Sequence, residues 1–177
     1  IEQGTGAPGM HVGRRAKKMS EYGSQLRQKQ SLRRQYGMGE LQFHRFFEEA
    51  LRKEGITGEN LLQMLEMRLD NIVYRLGFGV SRAQARQLVR HGHFTVNGRK
   101  LDIPSAILKQ GDVIAVAEGS RELAVIKENV ESAATHAVPA WLELNADALT
   151  GTVVTLPVRE QIEVPVQEQL VVEFYAR

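Results

Sequence analysis

Cysteine is absent from all 177 residues, which excludes disulfides, thiolate zinc sites and thiol catalysis within them. No run of about 18 apolar residues occurs, so a membrane-spanning helix is excluded. No leader of the secretory type opens the chain, and nothing directs it to export. Catalytic strings are missing as well: there is no His-Glu-x-x-His, no glycine-rich loop running into Lys and Ser/Thr, and no Gly-x-Ser-x-Gly. The chain is not expected to be an enzyme. Its first residue is Ile and not Met, so a preceding segment is expected.

Acidic residues are scarce where basic ones gather. Residues 1–110 hold 19 Lys+Arg against 10 Asp+Glu, whereas residues 111–177 hold 4 against 11. The overall charge of +2 hides this asymmetry. A polyanion would be drawn to the front of the chain and repelled by its tail, which points to a nucleic-acid partner. The apolar content of 42% supports a sizeable core and one or two domains.

Residues 1–19 read as a basic extended arm. Gly4, Gly6, Pro8, Gly9 and Gly13 deny it regular structure, while Arg14, Arg15, Lys17 and Lys18 charge it. Ser20 and Glu21 begin a helix that Gly37 or Gly39 ends. That helix is rich in Arg27, Lys29, Arg33 and Arg34 and poor in apolar residues, so it belongs on the surface or on a partner. Phe43, Phe46, Phe47, Ala50 and Leu51 give a second, core-forming helix stopped by Gly55. Thr57 is expected to cap one unbroken helix over 58–76, with the stripe Leu62, Leu65, Leu69, Ile72 and Leu76. Ser81 and Gln84 form a capping box for a helix over 82–91.

A strand at 94–96 then meets Asn97-Gly98, the dipeptide suited to a type I′ hairpin turn, and a second strand follows at 112–116. Residues 121–137 return to helical spacing. Beyond Pro139, alternation predicts strands at 141–144, 153–158, 162–164 and 170–175. The fold class is α+β: an N-terminal helical domain, then a small antiparallel sheet with two helices packed on it.

Three features bear on chemistry. Arg82, Arg86 and Arg90 recur every four residues, placing them on one helix face, and the acid-free stretch from Asp70 to Asp102 offers them no partner. Close phosphates would supply the missing anions. His91, His93, Asn97, Arg99 and Lys100 fall beside that face and complete a cradle for an RNA backbone. The pair His91 and His93 lacks a third metal ligand nearby, so neutral imidazoles are the simpler reading. Arg68-Leu69-Asp70 matches the string around the catalytic aspartate of some RNA pseudouridine synthases. Within an unbroken helix, Asp70 would instead hold an arginine or a helix-end amide.

Residues 67–78, Met-Arg-Leu-Asp-Asn-Ile-Val-Tyr-Arg-Leu-Gly-Phe, running into Ser81-Arg82-Ala83-Gln84-Ala85-Arg86-Gln87-Leu88-Val89, resemble the heart of the small-subunit ribosomal protein S-four family of bacterial or organellar type. Val96-Asn97-Gly98, the segment from Gln28 to Phe43 and the close at 170–175 are similar to that family as well. The resemblance implies an S-four-type RNA-binding module at 67–128, a helical domain at 20–66, and C-terminal strands and a tail at 129–177 completing the fold.

It also implies a ribosome-bound, cytoplasmic structural protein that binds small-subunit ribosomal RNA at a multi-helix junction of the 5′ domain. Such a protein helps nucleate assembly, bears on translational accuracy, touches ribosomal protein S-five and other small-subunit proteins, and lies near messenger RNA at the entry channel. The RNA-binding residues then expected are Arg14, Arg15, Lys17, Lys18, Lys29, Arg33, Arg34, Arg68, Arg82, Arg86, Arg90, His93, Asn97, Arg99 and Lys100. No cofactor is expected; zinc is implied only for a missing N-terminal segment, where some members carry a cysteine cluster. The other reading is a free-standing RNA-binding chaperone using the same module, and it does not require the basic front domain.

Overall fold

The computed structural model describes residues 18–177. The chain is α+β, with seven helices and a five-stranded antiparallel sheet among the described residues. Helix α1 (Glu21–Gln35) starts where expected, its N-cap Ser20 accepting from the Gly23 amide at 3.1 Å. Helix α2 (Glu40–Arg52) places Phe43, Phe46, Phe47 and Ala50 in the core, whereas Leu51, expected with them, points to solvent and is 58% exposed. Helix α3 (Thr57–Glu66) begins one residue earlier than its predicted cap allows: Ile56 is the N-cap, and Thr57 is the first helical residue.

The long helix expected over 58–76 is broken. Chain direction changes at Met67 and Arg68, where Arg68 is extended (φ −67°, ψ 141°), and a separate helix α4 (Leu69–Arg75) follows. The break is stabilised from a distance. The Leu69 amide donates to Ala106 O at 2.9 Å, the Asp70 amide donates to Pro104 O at 3.1 Å, and the Leu108 amide donates to Met67 O at 2.9 Å. A loop some 35 residues downstream thus supplies acceptors for the first-turn amides of α4, which an isolated helix end would leave orphaned.

Helix α5 (Arg82–Arg90) is capped by Ser81, which accepts from the Gln84 amide at 3.1 Å. Gln84 reaches back one residue further than the expected box, accepting from the Val80 amide at 2.8 Å. Strands β1 (Phe94–Val96) and β2 (Arg99–Lys100) form the hairpin, with Asn97 at φ 51° and Gly98 at φ 78°, the positive values a type I′ turn requires. Strand β3 (Val113–Val116), helix α6 (Ala124–Ala133), β4 (Leu142–Asn145) and β5 (Thr150–Val153) complete the sheet in the order β2-β1-β3-β5-β4. Gly151 of β5 has no side chain because Leu76 of α4 lies directly against it; a Cβ there would collide with the leucine methyls.

Two hydrophobic cores result. One gathers α4, α5, α6 and the sheet around Ile72, Phe78, Phe94, Ile114, Trp141 and Val153. The other joins Leu32, Phe43, Phe47, Leu61 and Leu65 to Ile162, Val164, Val166 and Val171. The end of the chain therefore returns to the N-terminal helices, and the stretch 129–177 serves both cores.

Three expected strands are corrected here. The one expected at 153–158 lies earlier, as β5 (Thr150–Val153), and residues 154–158 pair with no strand. Residues 162–166 do alternate inward, yet they pair with no strand. Residues 170–175 lie in helix α7 (Glu168–Tyr175), because its neighbour is helix α1 and not a sheet edge. The polar helix α1 has its partner in α7: Gln25 Nε2 donates to Glu173 Oε2 at 3.3 Å, Tyr22 and Phe174 rings lie 5.7 Å apart, and Arg177 Nε donates to Gln25 Oε1 at 2.8 Å. Tyr175 stacks on Phe47 with centroids 4.6 Å apart and donates to Glu40 Oε1 at 3.2 Å.

Tyr175→Ala removes both the ring stacking and the hydroxyl bond that hold α7 to α2. We expect a loss of about 2–3 kcal/mol in urea unfolding, whereas Tyr175→Phe, which keeps the stack, should lose about 1 kcal/mol. Equal losses for the two variants would assign the clasp to the hydroxyl alone.

Candidate nucleic-acid interface

The arginine face of α5 is graded along its length. Arg82, at the first turn, is held by the protein: its Nε donates to Asn71 Oδ1 at 3.0 Å, and its guanidinium carbon lies 4.6 Å and 4.8 Å from the Tyr36 and Tyr74 ring centroids. Arg86 is half-buried and donates through Nη1 to Gly37 O at 3.0 Å. Arg90 is exposed and has no hydrogen bond or ion pair to the described residues. The expectation that this face finds no partner in the chain is thus corrected for Arg82 and Arg86. Aromatic faces and carbonyl oxygens stand in for carboxylates. Mutual repulsion along the stripe amounts to a few tenths of a kcal/mol per pair. Two cation–π contacts and a hydrogen bond from a charged donor together outweigh it.

Beside α5, the hairpin presents Arg99 and Lys100, both exposed. The end of the Lys100 side chain, Cε and Nζ, lies over Gly92 at the close of α5, where a Cβ would displace it. A shallow depression of about 430 Å³ lies along the outer wall of α5, lined by Ala83, Arg86, Gln87, Arg90 and His91. His93 is half-buried, with Nδ1 2.8 Å from Ser120 Oγ. Burial first, then the charges of His91 and Lys100, holds its imidazole below the ordinary histidine value, favouring the neutral ring. The His91 and His93 ring centroids lie 6.3 Å apart, and no group of three or more potential metal-ligating side chains forms among the described residues.

Of the expected RNA-contacting residues, Lys29 and Arg68 are buried, and Arg33 and Asn97 have partners within the chain though neither is buried. Lys29 is 4% exposed, its Nζ donating to Glu40 Oε2 at 2.7 Å with the Phe174 ring 4.9 Å away. Arg68 is 1% exposed; its Nε and Nη2 donate to the two oxygens of Asp70 at 3.2 Å and 3.0 Å. Asn97 uses both ends of its amide to tie the hairpin turn to the start of β3, donating to Asp112 Oδ1 at 2.9 Å and accepting from the Val113 amide at 3.0 Å. Arg33 is largely engaged by Gln30, Met38 O and Glu40. Arg34 and Lys18 are exposed, whereas Arg14, Arg15 and Lys17 lie outside the described residues. Asp70 accepts from Arg68 and from the Asn71 amide at 2.8 Å, both of the roles expected for it. Its carboxylate is buried and cannot reach a flipped base.

Sequence reasoning missed the network beneath α5. Glu66, 1% exposed at the end of α3, accepts from Tyr36 OH and Arg75 Nη2 at Oε1, and from Asn71 Nδ2 and Arg75 Nε at Oε2. Burial alone would raise the Glu66 carboxyl, but the bonds and charge of Arg75, with Tyr36 and Asn71, hold it below the usual carboxylate range. Burial first, then the Glu66 charge and hydrogen bond, pushes the Tyr36 phenol well up. The one visible signal was an acidic residue set between Leu65 and Met67 at the end of an apolar stripe. A second cavity, about 710 Å³, opens on the other side of α4 between Tyr74, Asn129, His136, Glu160 and Glu163; its carboxylates make it unsuited to a polyanion.

Two family models match. The S4 domain covers residues 67–114, and the ribosomal protein S4/S9 N-terminal domain covers residues 2–66. The boundary between them falls at the break between α3 and α4. Among curated relatives, the small ribosomal subunit protein uS4 of Pelotomaculum thermopropionicum is 59% identical over 177 residues, all of this chain and 85% of that one. The protein of the same description from Thermoanaerobacter sp. (strain X514) is 60% identical over 171 residues, 97% of this chain and 82% of that one. That of Geobacter sp. (strain M21) is 56% identical over 170 residues, 96% and 81% respectively.

Burial separates structural cations from available ones, and two measurements check the separation. Arg68→Ala strands a buried carboxylate and should cost about 3–5 kcal/mol; Arg90→Ala should leave the unfolding free energy within about 0.5 kcal/mol. Denaturant titration of both variants decides. The lowered pKa of Glu66 predicts a pH dependence. Its contribution is complete above the unfolded carboxylate value of about 4.3 and is lost as pH falls through the lower folded value. The gap in Tm between the parent and Glu66→Gln should therefore be widest near neutrality and close in strong acid.

Proposed function

The chain belongs to the ribosomal protein S4 family, and from that premise we propose that it is a structural component of the small ribosomal subunit that binds ribosomal RNA through α5 and the β1–β2 hairpin. Members of this family are non-enzymatic parts of the ribosome, and RNA binding is the work of the S4 domain. The target we infer is a multi-helix junction in the 5′ domain of small-subunit ribosomal RNA. Binding there would help nucleate subunit assembly and bear on translational accuracy.

The observation that carries this reading is the placement of Arg90, Arg99 and Lys100. All three are exposed in a segment without a single acidic residue, and none of their side chains has a hydrogen bond or ion pair to the described residues. Arg86 adds its remaining donors at the edge of the same depression. Cations fixed on a helix and a hairpin suit the closely spaced phosphates of converging RNA helices, so recognition is by shape and backbone charge, with few bases read.

Arg34 and Lys18 extend the basic surface onto the front domain, and Arg14, Arg15 and Lys17 would lengthen it. The acidic tail half, with Glu118, Glu122, Glu128 and Glu131 exposed, would face away from RNA toward solvent or a basic protein such as ribosomal protein S-five. Messenger RNA near the entry channel is the other neighbour we infer. Among the described residues no helix is long and apolar enough to cross a membrane. In a bacterium, ribosome association would place the protein in the cytoplasm.

The test is a salt titration of binding to a folded 5′-domain RNA fragment, with plain duplex RNA as competitor. Junction-selective binding with a steep salt dependence is expected. Replacing Arg86 and Arg90 with Ala should flatten the slope of log affinity against log salt by about 2, one for each phosphate that no longer meets an arginine. Equal affinity for junction and duplex would overturn the assignment and favour the chaperone reading.

A further inference from the structure

The two hydrophobic cores meet across polar side chains and not through a shared apolar layer. The front half contributes Tyr36 and Glu66 to this seam; the module contributes Asn71, Arg75 and Arg82. Glu66 holds Asn71 at 2.8 Å, Asn71 holds Arg82 at 3.0 Å, and Arg82 lies on the ring of Tyr36, which closes the circuit back to Glu66. Outside this circuit, the one hydrogen bond between α5 and the front half among the described residues is that from Arg86 to Gly37 O. The chain itself crosses between the halves twice, at Met67-Arg68, where only Arg68 is extended, and along 154–161, between Val153 of one core and Ile162 of the other.

We propose that Asn71 and Glu66 are positioning residues for RNA binding: they set the angle between the basic face of α5 and the basic surface of α1, so that one RNA junction can engage both at once. This inference rests on the RNA-binding reading above and adds to it a specific device. Neither residue is exposed enough to touch RNA. Their effect comes through geometry. When two binding faces are rigidly joined at the correct angle, the second contact forms at high effective concentration; when the joint loosens, that advantage falls while each face keeps its own affinity. Hydrogen bonds suit this task better than apolar packing, because they fix direction as well as proximity.

The experiment uses Asn71→Ala, which changes no charge, and Glu66→Gln as a second variant should the first fail to fold. Because the chain has no cysteine, spin labels can be placed by Glu48→Cys on α2 and Lys109→Cys in the module, both exposed positions. Pulsed electron–electron resonance then reports the distance between the halves. The parent should give one narrow distribution, and the variants a broad one. Affinity for the 5′-domain junction should fall at least about tenfold while affinity for plain duplex changes less than about twofold.

A narrow distribution with undiminished junction affinity would overturn the proposal. So would a parallel fall in both affinities, which marks general destabilisation. Failure of both variants to fold would make the network a folding requirement and not a positioning device. Should the parent itself show no preference for the junction, the functional reading fails, and the label distances alone decide whether the seam fixes the angle.

Discussion

A single buried carboxylate organises the joint between the two halves of this protein. Glu66 is removed from water at the end of α3, where an unpartnered charge would cost several kcal/mol. Four donors on three side chains offset that cost, and they come from both halves. None can be withdrawn cheaply: losing one strands part of a buried anion, a larger penalty than the net worth of the missing bond. The halves therefore meet in one arrangement. An apolar seam of similar area would hold them as firmly but tolerate sliding, since burial of hydrocarbon has no preferred direction.

The second constraint is topological. Helix α1 is too polar to bury a face by itself, and α7, from the opposite end of the chain, covers it. Ile162, Val164 and Val166 lead into α7 as an extended segment sealing the front core. The N-terminal helices thus acquire their full packing only through residues more than a hundred positions away. Contacts of such sequence separation are formed late and slowly, because the entropy of loop closure must be overcome before they contribute. The sheet module is different: α4 to β5 is contiguous, and its hairpin turn is set locally by Asn97 and Gly98.

What could be read in the sequence follows the same division between local and distant causes. The α5 cap, the hairpin, the glycine stops and the core faces of α2 and α3 depend on neighbours within a few residues, and each was legible, with Leu51 of α2 the exception. The break at Met67-Arg68 was not, since the apolar stripe runs through it without interruption and the acceptors for Leu69 and Asp70 lie in the loop at 104–106. Residues 170–175 alternate well enough to look like a strand, but Val171, Val172 and Tyr175 also fit a helical face, and the presence of α1 decides between them. Among the expected RNA-binding residues, Arg90, Arg99 and Lys100 are exposed cations. Lys29 and Arg68 could not be excluded, because a one-dimensional pattern does not show Glu40 or Asp70 folding back onto them at bonding distance.

The distribution of arginines has a common logic. An arginine on a flexible surface must lose rotamer freedom and be oriented when it meets a phosphate, and that ordering subtracts from affinity. Here the stripe on α5 runs from a fixed residue to a free one. Arg82 is anchored by Asn71 and two aromatic rings, Arg86 is tethered to a backbone carbonyl, and Arg90 is open to solvent. The anchored arginine contributes little charge to a ligand, yet it fixes the axis of the helix on which the open one stands. Lys100 follows the same pattern in another element, the end of its side chain laid over Gly92 so that its ammonium group is carried beside the end of α5. Cations that bind the fold and cations left open to solvent are consequently not competing uses of basic residues: the first set holds the second in a fixed geometry, which a rigid array of phosphates could match without reordering the protein.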